Sequence, residues 1–305
     1  MLSNIVNLFS QDRRELVEHG TKAFPIGCYH DDLIKESVPW HWHEELEAAI
    51  VTEGDARITI GNDSFLASEG EGFFVNTGVL HACRAEGSSS CRFHSLVFSP
   101  RLAGGSLDSA IYQKYVLPVL KSEPLKGLWL RRDGGWQEEA LSLVERAWQS
   151  NVREEGAYEI EVRSSLSRFL ALLSSHLPEG GDEVWKEKDE KRIKVMLKFI
   201  SEEFAEDIRT SDIAASAYVS ESECLRCFRS TIGKTPIQYL REYRLEQAAA
   251  MLLSSGLSVG DAALSAGFQD VSYFIKCFKK AKGCTPGEFQ SRSRKQPSLP
   301  EPSSK

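Results

Sequence analysis

Cys227-Phe228-Arg229-Ser230-Thr231-Ile232-Gly233-Lys234-Thr235-Pro236 returns fifty residues later as Cys277-Phe278-Lys279-Lys280-Ala281-Lys282-Gly283-Cys284-Thr285-Pro286, with five of the ten positions identical. Each copy follows a short Ala-rich stretch and a turn. That is the outline of a helix-turn-helix, and two in tandem predict a two-headed reader of duplex DNA.

In the first copy Thr210 or Ser211 is expected to cap a helix carrying Ile213, Ala214 and Ala217 on its inner side. Tyr218-Val219 makes the turn, and Ser220 caps a second helix to about Ile232. Cys224, Cys227 and Phe228 recur at three- and four-residue spacing and should face inward. Ser222, Leu225, Arg226 and Arg229 are left outward. Near the start of such a helix Arg226 suits a guanine edge, while Arg229 lies a turn further on and suits phosphate.

The second copy has one extra residue in its turn. Ala262-Ala263 replaces Ile213-Ala214, Gly267-Phe268 turns, and Asp270 caps a helix from Val271 to about Lys282. Phe274, Cys277 and Phe278 should point inward, with Val271, Ser272, Ile275 and Lys276 outward. Lys279 and Lys280 add phosphate-reaching charge. Pro236 suits the first turn of a connecting helix with Ile237, Leu240, Ala248 and Met251 on one face, ending at Ser255-Gly256. Such a helix would space the two heads for adjacent major grooves, roughly 34 Å apart. The competing interpretation is a helical interaction domain that merely repeats Phe and Gly.

Charge favours the DNA reader. The 305-residue chain carries a net −7, but from Lys191 to Lys295 17 Lys and Arg face 12 Asp and Glu, a net of +5. The remainder therefore carries −12, so the acid lies away from the repeat. Hydrophobic content of 41% and charged content of 27% suit a soluble globular protein of about two domains. No run reaches a membrane span, and Met1 to Glu18 lacks the apolar core of a signal peptide, so a cytoplasmic protein is expected. Seven scattered cysteines, an odd count without a secretory signal, argue against a disulfide framework. Cys224-Leu-Arg-Cys227 has zinc or redox spacing, but Cys227 and Cys277 are equivalent in the repeat, which buried apolar packing explains without metal.

Arg244-Leu245-x-x-Ala248, Ala266-Gly267-Phe268-x-Asp270-x-Ser272-Tyr273-Phe274 and the doubled Phe-x4-Gly-x-Thr-Pro resemble the signature of the AraC/XylS family of bacterial transcription regulators. The resemblance spans roughly Lys191 to Arg292. It departs where Cys224 replaces a usual Leu, and where Leu225 replaces an often polar base-contacting residue; Leu225 suits a thymine methyl instead.

From Ile26 to Phe98 short apolar and β-branched pieces (Glu47–Val51, Ala56–Ile60, Gly72–Val75, Arg92–Phe98) alternate with turn signals, which predicts a barrel or sandwich. Pro39-Trp-His41-Trp-His43-Glu-Glu-Leu-Glu47 places His41, His43 and Glu47 at odd positions, one face of a strand. Trp40 and Trp42 take the other face, as packing or rim residues. With Gly70-x5-Asn76-x-Gly78-x-x-His81, this stretch resembles the two cupin motifs, with Asn76 in place of the usual Pro. The resemblance implies ligands at His41, His43, Glu47 and His81. The set suits a small organic effector, or a divalent metal such as iron, manganese, nickel or zinc, or a purely structural polar mouth.

From Ser106 the period turns helical. Ala140, Leu141, Val144, Ala147 and Trp148 share one face, as do Leu166, Phe169, Leu170, Leu173 and Leu177. The second stripe is expected to pack on the barrel or on a second subunit, and family resemblance implies a homodimer. The expected architecture is α+β in two domains: residues 1–178 (barrel about 26–100, helices about 106–177), a linker 179–190, a double helix-turn-helix 191–292, and a disordered tail 293–305. The function implied is a sequence-specific DNA-binding transcription regulator of carbohydrate or related small-metabolite genes, controlled by a small-molecule effector and partnered by RNA polymerase if an activator. The alternative is a metal cupin enzyme (dioxygenase or isomerase) joined to a DNA-binding domain.

Overall fold

The computed structural model describes residues 13–294, apart from 36, 88–89, 179–183 and 255–256. The chain divides into two compact units, one to Asp189 and one from Glu190.

In the first unit nine strands form two sheets. β1 (Ile26–Asp32), β8 (Arg92–Phe98), β3 (Leu46–Glu53), β6 (Gly72–Val75) and β9 (Gly127–Leu130) make a five-stranded sheet in that order. β2 (Val38–His41), β7 (His81–Ala85), β4 (Asp55–Ile60) and β5 (Asp63–Ser68) make the other. All pairs are antiparallel. The strands therefore form a sandwich of two separate sheets rather than one closed barrel. Ala49, Val51, Phe73, Val75 and Phe93 from one sheet meet Ala56, Ile58, Ile60 and Cys83 from the other. β4 alternates between half-buried and buried positions because one of its faces is open, as period-two patterning requires.

The outer face of the five-stranded sheet is also covered, so β3 is buried along its first six residues on both faces. The cover is α3 (Trp136–Arg153) and α4 (Tyr158–Ser175), with α1 (Pro100–Gly104), a π-helical turn at Tyr112–Val116 and α2 (Leu117–Lys121). Leu166, Phe169, Leu170 and Leu173 lie in one core with Phe74, Leu96 and Phe98, the Phe74 and Phe169 rings 5.8 Å apart. The α4 stripe is thus buried within its own chain and is not an open dimer face. β9 corrects the expectation of helix alone after Ser106. Its four residues pair with β6, from Gly72↔Leu130 to Val75↔Gly127.

The second unit is all helix. α5 (Val184–Glu203) begins inside the stretch expected to be linker. α6 (Thr210–Ser216) and α7 (Glu221–Ile232) form the first helix-turn-helix, α9 (Val259–Ser265) and α10 (Val271–Lys282) the second. α8 (Pro236–Ser254) lies between them, and α11 (Pro286–Arg294) follows. α11 takes in 293–294, expected as tail; 295–305 and the expected stop at Ser255-Gly256 lie outside the described residues.

The repeated decapeptide is a stop followed by a start. Gly233 and Gly283 close α7 and α10 at positive φ, 73° and 71°. Thr235 and Thr285 then open the next helix with a proline at its first position. Thr235 Oγ1 accepts from the Gln238 N–H at 3.3 Å while Gln238 Oε1 accepts from the Thr235 N–H at 2.9 Å. Thr285 and Glu288 repeat that reciprocal pair at 3.3 and 2.8 Å. Ser220 caps α7 and Asp270 caps α10, as their side chains dictate. α6 differs from expectation: Asp212 reaches back to the Arg209 N–H at 2.7 Å, and neither Thr210 nor Ser211 is its cap.

α8 touches α6, α7, α9, α10 and α11. Its buried positions are therefore Tyr239, Leu240, Leu245, Ala248, Ala249 and Leu252, on more than one face. Ile237, expected inside, is 43% exposed, and Met251 is only half-buried.

Candidate ligand cavity and DNA-reading helices

His41, His43, Glu47 and His81 come together in the sandwich, each buried, with one ligand atom from each within 4.8 Å of the others. They do not share a strand face. His41 ends β2 and pairs across the ladder with His81 at the start of β7. Glu47 lies on β3 of the opposite sheet, and His43 sits in the crossover between the sheets. That crossover is fixed by Gly78 N–H to His43 O at 2.8 Å and by the Thr77 hydroxyl to Glu44 O at 2.7 Å.

Each imidazole is oriented from behind. The Nδ1 atoms of His41, His43 and His81 lie 2.9, 3.1 and 2.9 Å from the carbonyls of Pro39, Glu45 and Val79. A carbonyl only accepts, so Nδ1 carries the proton. Nε2 of His81 and of His43 lie 2.9 and 3.5 Å from Glu47 Oε2, yet neither makes a well-directed hydrogen bond. Burial opposes a charge on Glu47, but the His43 and His81 imidazoles beside it outweigh that and hold its carboxyl far below the usual range. Burial likewise opposes a charge on His81, and the Glu47 carboxylate overcomes it, raising the pKa. His41 is driven well down by burial and then by its histidine neighbours.

The cavity beside the cluster measures about 30 Å³, room for about one water, where sites for drug-sized ligands measure ~300–1,000 Å³. Glu15, Tyr29 and Asp31 line it, and among the described residues no Lys or Arg does. These lining groups were not legible in the sequence. Glu15 arrives because Arg13–Glu15 runs beside Trp42, with Trp42 N–H to Arg13 O at 3.0 Å and Glu15 N–H to Trp42 O at 2.8 Å. The one local hint was the i,i+4 pair Glu15 and His19, whose carboxylate and Nε2 lie 3.3 Å apart. Trp40 is buried, whereas half-buried Trp42 carries the Arg14 guanidinium 5.7 Å above its ring.

On α7, Cys224, Cys227 and Phe228 are fully buried, while Ser222, Arg226 and Arg229 are exposed and Leu225 half-buried. Burial first, then Glu221, pushes the Cys224 thiol up to about 11. A protonated, buried thiol is neither a redox nucleophile nor a ready zinc ligand. On α10, Phe274 and Phe278 are buried and Cys277 half-buried. Ser272, Ile275, Lys276, Lys279 and Lys280 are exposed, but Val271 is half-buried against the core of this unit rather than outward.

Two family models match: a helix-turn-helix domain over residues 213–292 and an AraC-like ligand binding domain over residues 24–170. The chain is 30% identical over 290 residues to the HTH-type transcriptional regulator YdeC of Bacillus subtilis (strain 168), covering 93% of this chain and 97% of that one. It belongs to the AraC family of transcription regulators. The melibiose operon regulatory protein of Escherichia coli (strain K12) is 23% identical over 260 residues, 83% of this chain and 84% of its own. The HTH-type transcriptional activator RhaR of Yersinia pestis bv. Antiqua (strain Angola) is 21% identical over 266 residues, 87% and 89%.

These AraC-family relatives are transcription regulators, not enzymes, and this chain is one too, so the enzymatic alternative falls. It is a DNA-binding regulator with a ligand-binding domain. Among the described residues no helix is long and apolar enough to cross a membrane.

Proposed function

We propose that this AraC-family regulator reads operator DNA through α7 and α10 and is controlled at the His41–His43–Glu47–His81 cluster, which holds a divalent metal ion. The observation that carries the metal reading is the cluster itself. Three buried imidazoles are each locked by a carbonyl at Nδ1, and one buried carboxylate stands beside them, all within 4.8 Å. Such backing of the outer nitrogen is what a metal-ligating histidine requires. Three nitrogens and one oxygen suit zinc, iron, manganese or nickel. A bound ion would supply a positive centre to which an effector oxygen can attach.

A water-sized cavity with Glu15, Asp31 and Glu47 about it, and no Lys or Arg among the described residues lining it, favours an ion over a sugar or an anionic metabolite. The second reading, a carbohydrate effector, is favoured by the melibiose operon regulatory protein among the relatives. It requires the Arg13–Glu15 segment to move aside. In either case the regulator would act in the cytoplasm as an activator working with RNA polymerase, in keeping with the activator among its relatives. The implied homodimer would have to use a surface other than the α4 stripe.

Elemental analysis of the purified chain, beside Glu47→Gln and His81→Ala variants, tests the metal. About one equivalent in the parent and a large loss in both variants is expected. A metal-free parent whose melting temperature ignores added zinc, manganese and nickel would overturn it, and sugar-dependent melting in that same protein would establish the second reading.

A further inference from the structure

The first unit has a second opening, which among the described residues shares no lining residue with the cavity beside the histidine cluster. It is a groove of about 460 Å³, within the ~300–1,000 Å³ of sites for small organic ligands. Three segments meet there: the loop before β1, α1 and the first turn of α4. Local bonds fix each of them. Thr21 N–H to Phe24 O at 3.1 Å and Phe24 N–H to Thr21 O at 3.2 Å close the loop and put Lys22 at its tip. The Phe24 ring packs edge-on to Tyr158 at 5.7 Å. The Ser167 hydroxyl ties α4 to α1 by donating to Ala103 O at 2.7 Å.

The groove is cationic although the chain outside 191–295 is strongly acidic. Lys22, Arg101 and Arg163 line it, with Glu159 the single acid among the described lining residues, a net of +2. None of the three cations has an ion pair or a side-chain hydrogen bond among the described residues. Glu159 and Arg163 stand at the i,i+4 spacing of a helix ion pair, yet Arg163 turns to α1 instead. A methyl built on Gly105, which closes α1 at φ +76°, would lie 3.0 Å from Arg163 Nη2. The neighbouring groove at the α3–α4 turn has a similar volume, about 490 Å³, but its arginines are engaged, Arg146 with Glu161 at 3.7 Å and Arg153 with Gln149 Oε1 at 3.3 Å. Beside the three free cations lie half-buried Phe24, buried Leu102 and Ile160, which is 72% exposed.

We propose that this groove binds a small organic anion, its carboxylate or phosphate head held by Arg101, Arg163 and Lys22 and its short apolar body laid on Phe24, Leu102 and Ile160. Guanidinium forks match either head with paired, charge-assisted hydrogen bonds. The apolar wall supplies burial for a hydrocarbon part. A neutral ligand would leave the cations unused, and inorganic phosphate would leave the wall unused. The site is independent of the metal proposed at the histidine cluster.

The test is isothermal titration of the full chain with hexanoate, hexyl phosphate, hexanol and inorganic phosphate. Hexanoate or hexyl phosphate is expected to bind about tenfold or more tightly than hexanol and than inorganic phosphate, and the tighter of the two names the head. Added salt should weaken that binding, because the cations are exposed. Arg101→Gln combined with Arg163→Gln should lose about tenfold or more. Lys22→Gln, at the tip of its loop, is the second variant should the double one disturb the fold, and should lose part of the affinity. Arg146→Gln in the neighbouring groove and Glu47→Gln in the histidine cluster should bind as the parent does. Failure of both anions to bind, equal binding of hexanol, or parental affinity in the arginine and Lys22 variants would each overturn the proposal. Loss of binding in Glu47→Gln would place the anion at the cluster and overturn it too.

Discussion

Gly267 is the residue that lets the Arg244 guanidinium reach the end of α5. Arg244 donates from Nε to the Phe204 carbonyl and from Nη2 to the Glu206 carbonyl, 2.6 Å each. Gly267 turns at φ +83°, and a methyl placed on it would lie 2.6 Å from Phe204 O and 2.9 Å from Arg244 Nε. Two pieces of the family signature, separate in sequence, are thus one contact in space.

Gly267→Ala should therefore cost about 2–4 kcal/mol, from left-handed backbone strain and from displacing a charged donor from two carbonyls. Calorimetry of the full chain checks it. One transition should move down and the other stay, because the damage is confined to the helical unit; an unmoved melting profile would contradict the packing.

Asn76 stands where the cupin motif has proline, and its bonds explain the exchange. Nδ2 donates to the Val119 and Leu125 carbonyls at 2.8 and 2.9 Å, Oδ1 accepts from the Thr77 N–H at 2.9 Å, and the Asn76 N–H reaches Lys126 O at 2.8 Å. Asn76→Ala should lose about 2–3 kcal/mol because it strands two carbonyls. Asn76→Pro should lose more, since proline also removes the N–H. Urea unfolding of the two variants beside the parent gives the order.

The exposed α10 lysines should act on affinity alone. Lys279→Ala is expected to weaken a duplex selected from a random pool by the parent protein and a scrambled version of it alike, and to flatten the salt slope by about 0.9. Binding measured across a salt series decides; a change confined to the selected duplex would make Lys279 a base reader.

Glu145 gives the ligand-binding domain an acid-sensitive contact. Its carboxylate lies 2.9 Å from Nε2 of His94, a 3%-exposed histidine stacked 4.1 Å from the Trp148 ring. The close approach of His94 is the main reason its pKa is lowered, with burial opposing and Gln149 assisting. A depressed carboxyl stabilises the folded state above its unfolded pKa, and that support is lost as pH falls through the folded value. Glu145→Gln should therefore be less stable than the parent at pH 7, and the gap should close below about pH 4. Unfolding midpoints across that range test it, and a gap independent of pH would assign the loss to packing.

Local rules made the helical unit readable. Ser220 and Asp270 act on backbone groups within a few residues of themselves, so spacing alone located the starts of α7 and α10, and these helices stop at Gly233 and Gly283, next to the expected ends; α11, which Thr285 opens, was not expected. Ile237 was misplaced because α8 packs against five other helices, and a single apolar stripe describes only one neighbour. The four residues of the cluster were legible through the cupin resemblance, but the strand geometry offered for three of them fails. Strand parity put His41, His43 and Glu47 on one face, whereas a crossover between sheets brings them together. β9 was invisible because four apolar residues become a strand only beside β6, some fifty positions earlier.

β9 also sets where the ligand-binding domain can be cut. A fragment ending at Phe98, where the consecutive strands stop, would strip β6 of its outer neighbour and bare Phe74, Leu96 and Phe98 to water. Such a piece would offer a raw hydrogen-bonding edge next to a greasy surface, the recipe for sticking to its own kind. Recombinant boundaries belong beyond Ser175, after the last roofing helix has closed over the sheet.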